Sequence, residues 1–578
     1  MRSNYDKYPA VAVRGVKNCA WQGADNIRSE LLQAIARKGR EKIVVCVDCY
    51  HGVWEDELLK ELKFMLRPAL VVKSEHAAKD SETIEKMIER NLTDDRVFGA
   101  MTVRNMPEFF SEEKIADVRG RIGEIKSGVV LVIGVGAALL CDPDILIYAD
   151  MPRWELQQRY RSKRLGNWLC DNENEDTLRK YKRGFFVEWR VADRHKNSLF
   201  KRIDYFLDTT QKEYKMMAGD AVREGLRQTA HRPFRVVPFF DPGVWGGQWM
   251  KKVCNLPREE KNYAWCFDCV PEENSLMLQA DGVTIEIPSI NLVFQQPIAL
   301  LGDKVHARFG AEFPIRFDFL DTMEGQNLSL QVHPLTEYIQ NTFGMHYTQD
   351  ESYYILDAND DAKVYLGVKN GVDPDEMVSA LKEAQTTAQF DDKKYVNCFP
   401  AKKHDHFLIP AGTVHCSGAN TMVLEISATP FIFTFKLWDW NRLGLDGKPR
   451  PVHIAHGEKN IQFSRNTDWV KKNLINRVEV LEEGDGYREE RTGLHEREFI
   501  ETRRLWFEKP VCRDTEDGVQ VLNLVEGSEA TVRSPSGAFE PFRVHYAETF
   551  IIPASVGKFE LVPENGERCG VIRAYVRT

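Results

Sequence analysis

The chain of 578 residues is short of several things, and each shortage removes a class of protein. It has no long hydrophobic run. The longest apolar stretch, Gly128 to Cys141, lies between Lys126 and Asp142 and is too short to span a bilayer, so it predicts a buried strand entering a turn. The opening Met-Arg-Ser-Asn-Tyr-Asp-Lys-Tyr-Pro has no continuous apolar core of the kind a secretion signal needs. No membrane partner and a cytoplasmic location are therefore expected. Positive charge is also scarce: 78 Lys and Arg face 87 Asp and Glu, the net charge is -9, the pI is near 6.0, and no basic tail exists, which argues against nucleic acid as a partner. Cysteine is thin, with 12 spread along the chain, so free thiols rather than a disulfide framework are expected. Two Cys-x-x-Cys pairs, Cys46/Cys49 and Cys266/Cys269, formally add up to a zinc-ribbon set. However, Cys46 sits in the apolar strand pattern Ile43 to Val47, and the pairs fall in different predicted domains.

What is present is ordinary globular composition, 43% hydrophobic and 29% charged. The length is too great for one core, and changes of periodicity divide the chain into 1–232, 233–460 and 461–578. In the first part, strand patterns at Ile43 to Val47, Ala69 to Val72, Val129 to Val135 and Ile145 to Ala149 alternate with helical patterns at Glu55 to Met65, Ser81 to Asn91 and Glu112 to Lys126. That alternation predicts a parallel sheet with helices on its faces. Pro152 marks a helix start, followed by the basic side chains Arg153, Arg159, Arg161, Lys163 and Arg164. Asn197 to Arg227 reads as one or two charged amphipathic helices, with Leu199, Ile203, Phe206 and Leu207 at helical spacing.

From Phe234 onward short strands broken by Gly, Pro and Asp take over. In Leu328-Ser-Leu-Gln-Val-His-Pro334, the apolar residues alternate with Ser329, Gln331 and His333, so a strand would send Gln331 and His333 to one face. Glu351 opens a second strand pattern, and His415 follows a Pro-Ala-Gly turn at the end of a third. Two imidazoles, a carboxylate and an amide oxygen could thus converge on one ion, a set suited to zinc, although a single His among 14 is more often an ordinary hydrogen-bonded residue.

These segments resemble the metal motifs of the type I mannose-6-phosphate isomerases, a family of zinc-dependent cupins. Further resemblance lies in Asp241-Pro-Gly-Val-Trp-Gly-Gly247, in Phe313 to Asp321, in a helix pattern from Asp373 to Ala388, and in Phe433 to Arg442 followed by Gly447 to His453. The resemblance implies one zinc ion per chain held by Gln331, His333, Glu351 and His415, and isomerisation of mannose 6-phosphate to fructose 6-phosphate through an enediol. It implies catalytic roles for Lys436 and Arg442 and substrate contacts from Lys448, Arg450 and Trp245, with a small sugar phosphate as partner. Two departures stand out. The family's arginine is Lys436 here, which keeps the charge and loses the planar fork, and its lysine two residues before the carboxylate ligand is Gln349, which loses the charge. Val519 to Gly527 and Tyr546 to Gly557 resemble the family's metal-free C-terminal cupin, reached through a charge-rich link at Glu482 to Glu498.

The first part resembles uridine-kinase-like P-loop proteins through Lys42 to Asp48 and Val129 to Asp150. Their loop G-x-x-x-x-G-K-[ST] holds phosphate with backbone amides and a lysine. Here Asp48-Cys-Tyr-His-Gly-Val-Trp-Glu-Asp56 stands in its place, with Glu55 where a cation is needed, so no nucleotide-binding residues and no ATP turnover are expected. The expected architecture is an α/β parallel-sheet nucleoside-kinase-like domain followed by two mainly-β cupin (jelly-roll) domains with a helical insertion. The alternative is a non-catalytic carbohydrate-binding or regulatory protein built from degenerate halves.

Overall fold

A computed structural model describes residues 4–428, 433–493 and 495–578. Met1 to Ser3 of the opening segment, Thr429 to Ile432, and Leu494 of the charge-rich link lie outside the described residues. No described helix is long and apolar enough to cross a membrane.

The chain forms two compact units. One comprises Ala10–Gln228 with Ser275–Gln295; the other comprises the segment up to Pro9, Thr229–Asn274 and Gln296–Thr578. The stretch Ser275–Gln295, which the periodicity assigned to the middle of three domains, therefore belongs to the unit built from the first third of the chain.

That α/β unit is centred on a seven-stranded sheet. Its order is Ala20–Gln22, Lys215–Ala218, Tyr205–Asp208, Ile145–Asp150, Lys42–Cys49, Gly128–Gly134, Leu70–Lys73. The last five strands in this order run parallel, and Lys215–Ala218 and Ala20–Gln22 are antiparallel additions. The central strand is buried from Ile43 to Cys49 because helices cover both faces of a parallel sheet, which is why it reads as an unbroken apolar run. The helices Glu55–Leu66, Ser81–Leu92 and Glu112–Glu124 stand where the apolar spacing put them, and Pro152 is the N-cap of Arg153–Arg161. Asn197 to Arg227 is different from the expectation. Asn197–Leu199 closes the helix Trp189–Leu199 and Phe200–Arg202 is a 3-10 turn, but Phe206 and Leu207 lie on the strand Tyr205–Asp208, a second strand follows at Lys215–Ala218, and helix resumes at Gly219–Thr229. A small second sheet joins Ala10–Ala12 to the hairpin Ser275–Ala280 and Val283–Pro288.

The β-rich unit contains four sheets in two pairs. A six-stranded sheet, His406–Ile409, Glu351–Ala358, Thr421–Ser427, Arg316–Asp321, Trp265–Cys269, Phe239–Asp241, accompanies a five-stranded one, Val396–Pro400, Lys363–Val368, His415–Ser417, Leu330–Val332, Phe435–Trp438. The C-terminal pair has six and four strands, and every pairing in these four sheets is antiparallel. Residues from both C-terminal sheets, among them Leu505, Leu522 and Val571 from one and Val532, Phe559 and Leu561 from the other, share one buried core, the arrangement of a sandwich. The insertion between strands is the helix Pro374–Thr387, whose N-cap Asp373 accepts from the Glu376 N–H at 2.9 Å.

Candidate metal centre

The cluster begins with strand register. Gln331 pairs directly with His415 on one side and with Lys436 on the other, and His415 pairs with Leu366. Directly opposed residues in antiparallel strands project to the same face, so Lys436, Gln331 and His415 form a row across the five-stranded sheet. His333 follows the end of Leu330–Val332, and its carbonyl accepts from the Gly412 N–H at 2.9 Å. This bond ties the Pro-Ala-Gly turn to the first motif. Gly412 adopts φ +90, and a Cβ there would lie 2.9 Å from the Asn460 carbonyl and from Leu335, so the turn needs glycine.

Across from this row, Glu351 opens a strand of the six-stranded sheet. Its Oε2 lies 3.0 Å from His333 Nε2 and its Oε1 2.8 Å from His415 Nε2. The two imidazole centroids are 4.9 Å apart, and the Gln331 amide nitrogen is 3.2 Å from His415 Nε2. Gln331 is 7% exposed, Glu351 2%, and both histidines are fully buried. Each imidazole uses Nδ1 on a backbone carbonyl, His333 on Phe433 and His415 on Thr413, both at 2.8 Å. With those nitrogens donating, each Nε2 presents a lone pair to the carboxylate. Two lone pairs against an anion repel unless a proton or a cation stands between them, and the donor chemistry, two imidazole nitrogens and a carboxylate, fits a divalent cation such as zinc. Burial works against the charge on Glu351, but His333 and His415 outweigh it and hold the carboxyl well below the usual glutamate range. Among the described residues, His333, Glu351 and His415 are the one group of His, Cys, Asp and Glu close enough together to hold a metal ion. Cys46, Cys49, Cys266 and Cys269 are buried free thiols outside it.

Beside the cluster, the Gln349 amide donates to Glu351 Oε2 at 2.8 Å and to Glu425 at 3.4 Å. Burial, with Glu351 and Asp318 as like-charged neighbours, pushes the Glu425 carboxyl well up, and burial raises Asp318 to about 6 despite its 2.7 Å pair with Arg316. Glu425 was not singled out in the sequence, whereas Arg316 and Asp318 fall in the family-like segment Phe313 to Asp321, where the resembled family usually carries a lysine. The available signal was the period-2 pattern of Arg316 to Asp321, which places charged residues at buried positions.

The remaining expected residues are dispersed. Lys436 stands in the row with Gln331. Arg442 is spent on Asp439 at 2.6 Å and on the Asn327 carbonyl at 2.7 Å, and Arg450 is spent on Asp439 at 2.9 Å and Ser329 at 3.2 Å. Lys448 is exposed at a turn where its backbone N–H meets Asp446. Trp245 is 1% exposed and packs edge-on to Trp265 with centroids 4.6 Å apart, so it offers no face to a ligand.

In the α/β unit, the loop after Lys42–Cys49 is filled by the chain itself. The Trp54 ring lies 5.0 Å from the guanidinium carbons of both Arg159 and Arg164, and Arg159 also donates to the Gly52 carbonyl at 2.7 Å. Burial, with Glu75 nearby, pushes the Glu55 carboxyl at the helix start up to about 7.

A family described as a domain of unknown function, DUF8485, matches residues 23–231. The mannose-6-phosphate isomerase ManA of Bacillus subtilis (strain 168) is 25% identical over 223 residues, 38% of this chain and 65% of that protein. The mannose-6-phosphate isomerase of Streptococcus mutans serotype c is 26% identical over 213 residues, 36% of this chain and 62% of that protein. Among solved structures, the mannose 6-phosphate isomerase from Bacillus subtilis aligns over 60% of this chain and 100% of its own, with a TM-score of 0.49 and 17% identity. This chain thus spans 65% and 62% of the length of the two curated relatives it matches, and the similarity to mannose-6-phosphate isomerases covers about 38% of it, at residues of about 230–450.

Proposed function

We propose that the β-rich unit is a zinc-dependent aldose-ketose isomerase of the cupin type, interconverting mannose 6-phosphate and fructose 6-phosphate, with one zinc ion per chain on Gln331, His333, Glu351 and His415. The observation that carries this reading is the meeting of two imidazole lone pairs with a buried carboxylate. When bound, zinc supplies a Lewis acid to the carbonyl and hydroxyl oxygens of the sugar. The chain's own residues orient and exclude. The carbonyls of Phe433 and Thr413 fix both imidazole tautomers, and Gln349 steadies the Glu351 carboxylate. Lys436, in register with Gln331, brings positive charge to the face where enediolate charge develops. Burial keeps bulk water from the proton that passes between C1 and C2. We assign Arg442 and Arg450, both on Asp439, to shaping the end of the strand that carries Lys436.

A second reading, a carbohydrate-binding or regulatory protein without turnover, is favoured by the neutral Gln349 and by the engagement of Arg442 and Arg450. Metal analysis and a coupled assay with mannose 6-phosphate separate the two. The isomerase reading expects one zinc per chain, loss of that zinc in His415→Ala, and interconversion by the wild type. Zinc uptake with no interconversion of any sugar phosphate would establish the second reading, and a wild type without stoichiometric metal would remove the first.

For the α/β unit we infer a nucleoside-kinase-like ancestry without phosphoryl transfer, supported by Trp54 between two arginines and by Glu55 at the start of the helix that follows the loop. Magnesium-dependent phosphate release from ATP by the full chain should stay at background, and robust release would refute this.

A further inference from the structure

Adjoining the strand that carries Glu351, the β-rich unit contains a cavity of about 260 Å³, lined by Arg308, Phe309, Tyr347, Asp350, Arg497 and Phe499 among others. Asp350 immediately precedes the ligand Glu351, and neighbours in an extended chain point to opposite faces. The Glu351 carboxylate meets His333 and His415, while Asp350 turns away and accepts from the Ala411 N–H at 2.8 Å. The cavity's lining takes Asp350 and none of Gln331, His333, Glu351 and His415.

Its floor is aromatic. Phe309 and Phe499 pack with centroids 4.8 Å apart, and Tyr347 stands edge-on to both, at 5.4 and 5.8 Å. The Arg308 guanidinium lies over two of these rings, 5.1 Å from Phe309 and 4.9 Å from Phe499. Among the described residues, neither Arg308 nor Arg497 makes a side-chain hydrogen bond or an ion pair, in a unit where Arg316, Arg442, Arg450 and Arg504 are all held by carboxylates. Of the two carboxylates of the lining, Asp350 is held on the Ala411 amide, and Glu312 stands near Tyr347, whose hydroxyl pKa is pushed up by burial and by the Glu312 charge. Behind them Arg465 is buried on the carbonyls of Pro410 and Ala411. Burial and the like charge of Arg497 push it down only to about 10, so it adds a third positive charge near neutrality. Two guanidiniums without a carboxylate partner among the described residues, Arg308 stacked on the aromatic floor and Arg497 beside it, form a receptor for an anion with a compact apolar body. Guanidinium forks match phosphate oxygens better than a point charge does, and the volume lies near the small end of ligand pockets, roughly 300 Å³.

We propose that this cavity is a binding site for a small phosphomonoester, separate from the metal cluster, with the phosphate on Arg308 and Arg497 and the organic portion against Phe309, Tyr347 and Phe499. The site stands independently of the isomerase reading. Isothermal titration of the full chain at low ionic strength, both zinc-loaded and chelator-treated, tests it with inorganic phosphate, phenyl phosphate and phenol. Phenyl phosphate should bind more tightly than inorganic phosphate in both forms, with phenol inert. Arg308 and Arg497 are exposed, so R308Q/R497Q should keep the fold, and it should weaken phenyl phosphate by about tenfold or more with zinc content unchanged. Equal binding by the double variant and the wild type, or no phosphate binding by the chelator-treated protein, would overturn the site. A failed metal reading would show instead as absent zinc uptake alongside arginine-dependent phosphate binding.

Discussion

Individual residues of the metal cluster are oriented by bonds that point away from it. Glu351→Gln keeps the shape and removes the charge that two imidazoles share, so metal content measured by elemental analysis should fall below one-tenth of the wild type while circular dichroism stays unchanged. A second residue sets an acid limit. His406 is fully buried, and burial, with Arg504 nearby, pushes its pKa from 6.5 to about 3. Because the unfolded ring takes up its proton near pH 6.5 and the folded ring does not, stability is lost as the pH falls from about 6.5 toward 3, by several kcal/mol at the limit. Denaturant midpoints at pH 8 and pH 5 should therefore differ less in His406→Leu than in the wild type. In the α/β unit, Arg153 and Asp193 form an ion pair with side chains 1% and 6% exposed. Burial opposes the charge on Asp193, but Arg153 and then Lys196 keep its pKa below the ordinary carboxylate range. Arg153→Met leaves that buried carboxylate with Lys196 nearby and the Tyr50 hydroxyl, and should destabilise the unit by roughly 3 kcal/mol in urea unfolding.

At the level of elements, the helix Pro374–Thr387 illustrates a stop and start written locally. Asp373 caps it, Pro374 occupies the first turn, and Asp373→Ala should cost about 1 kcal/mol, visible as faster amide exchange in this helix. Such local features were legible in the sequence, as were the parallel strands, whose apolar runs need no partner to be recognised. The alternation around Gln331 and His333 was legible for the same reason. What could not be read was pairing. Leu199, Ile203, Phe206 and Leu207 fit a helical spacing, yet the chain turns after Arg202 and Phe206 joins a sheet through contacts with Tyr148 and Met217 that no local pattern encodes. The hairpin Ser275 to Pro288 alternates as a strand should, but nothing in it names the sheet it will join. The shared engagement of Arg442 and Arg450 on Asp439 was only half legible, since Asp439 stands three residues before Arg442 but meets Arg450 only once the chain has folded back.

For the whole molecule, two compact units imply two responses to metal. Zinc held only by the folded β-rich unit would stabilise it by about 4 kcal/mol at a thousandfold excess over Kd. Calorimetry with and without chelator should accordingly move one transition and leave the other in place, and equal movement of both would contradict a site confined to one unit.

The path of the chain also constrains how the protein is made. Ala10–Ala12 pairs with Ser275–Ala280, the Glu286 N–H reaches Asp208 at 2.9 Å, and the Asn291 amide reaches Asp150 at 2.8 Å. A ribosome must therefore release Gln295 before that first-begun unit can be finished, while Trp265–Cys269, paired on one edge with Phe239–Asp241, waits on the other for Arg316–Asp321, not yet synthesised. A gene cut at the apparent boundary near residue 232 would yield a fragment missing its own closing piece, and no single proteolytic nick could liberate either half intact.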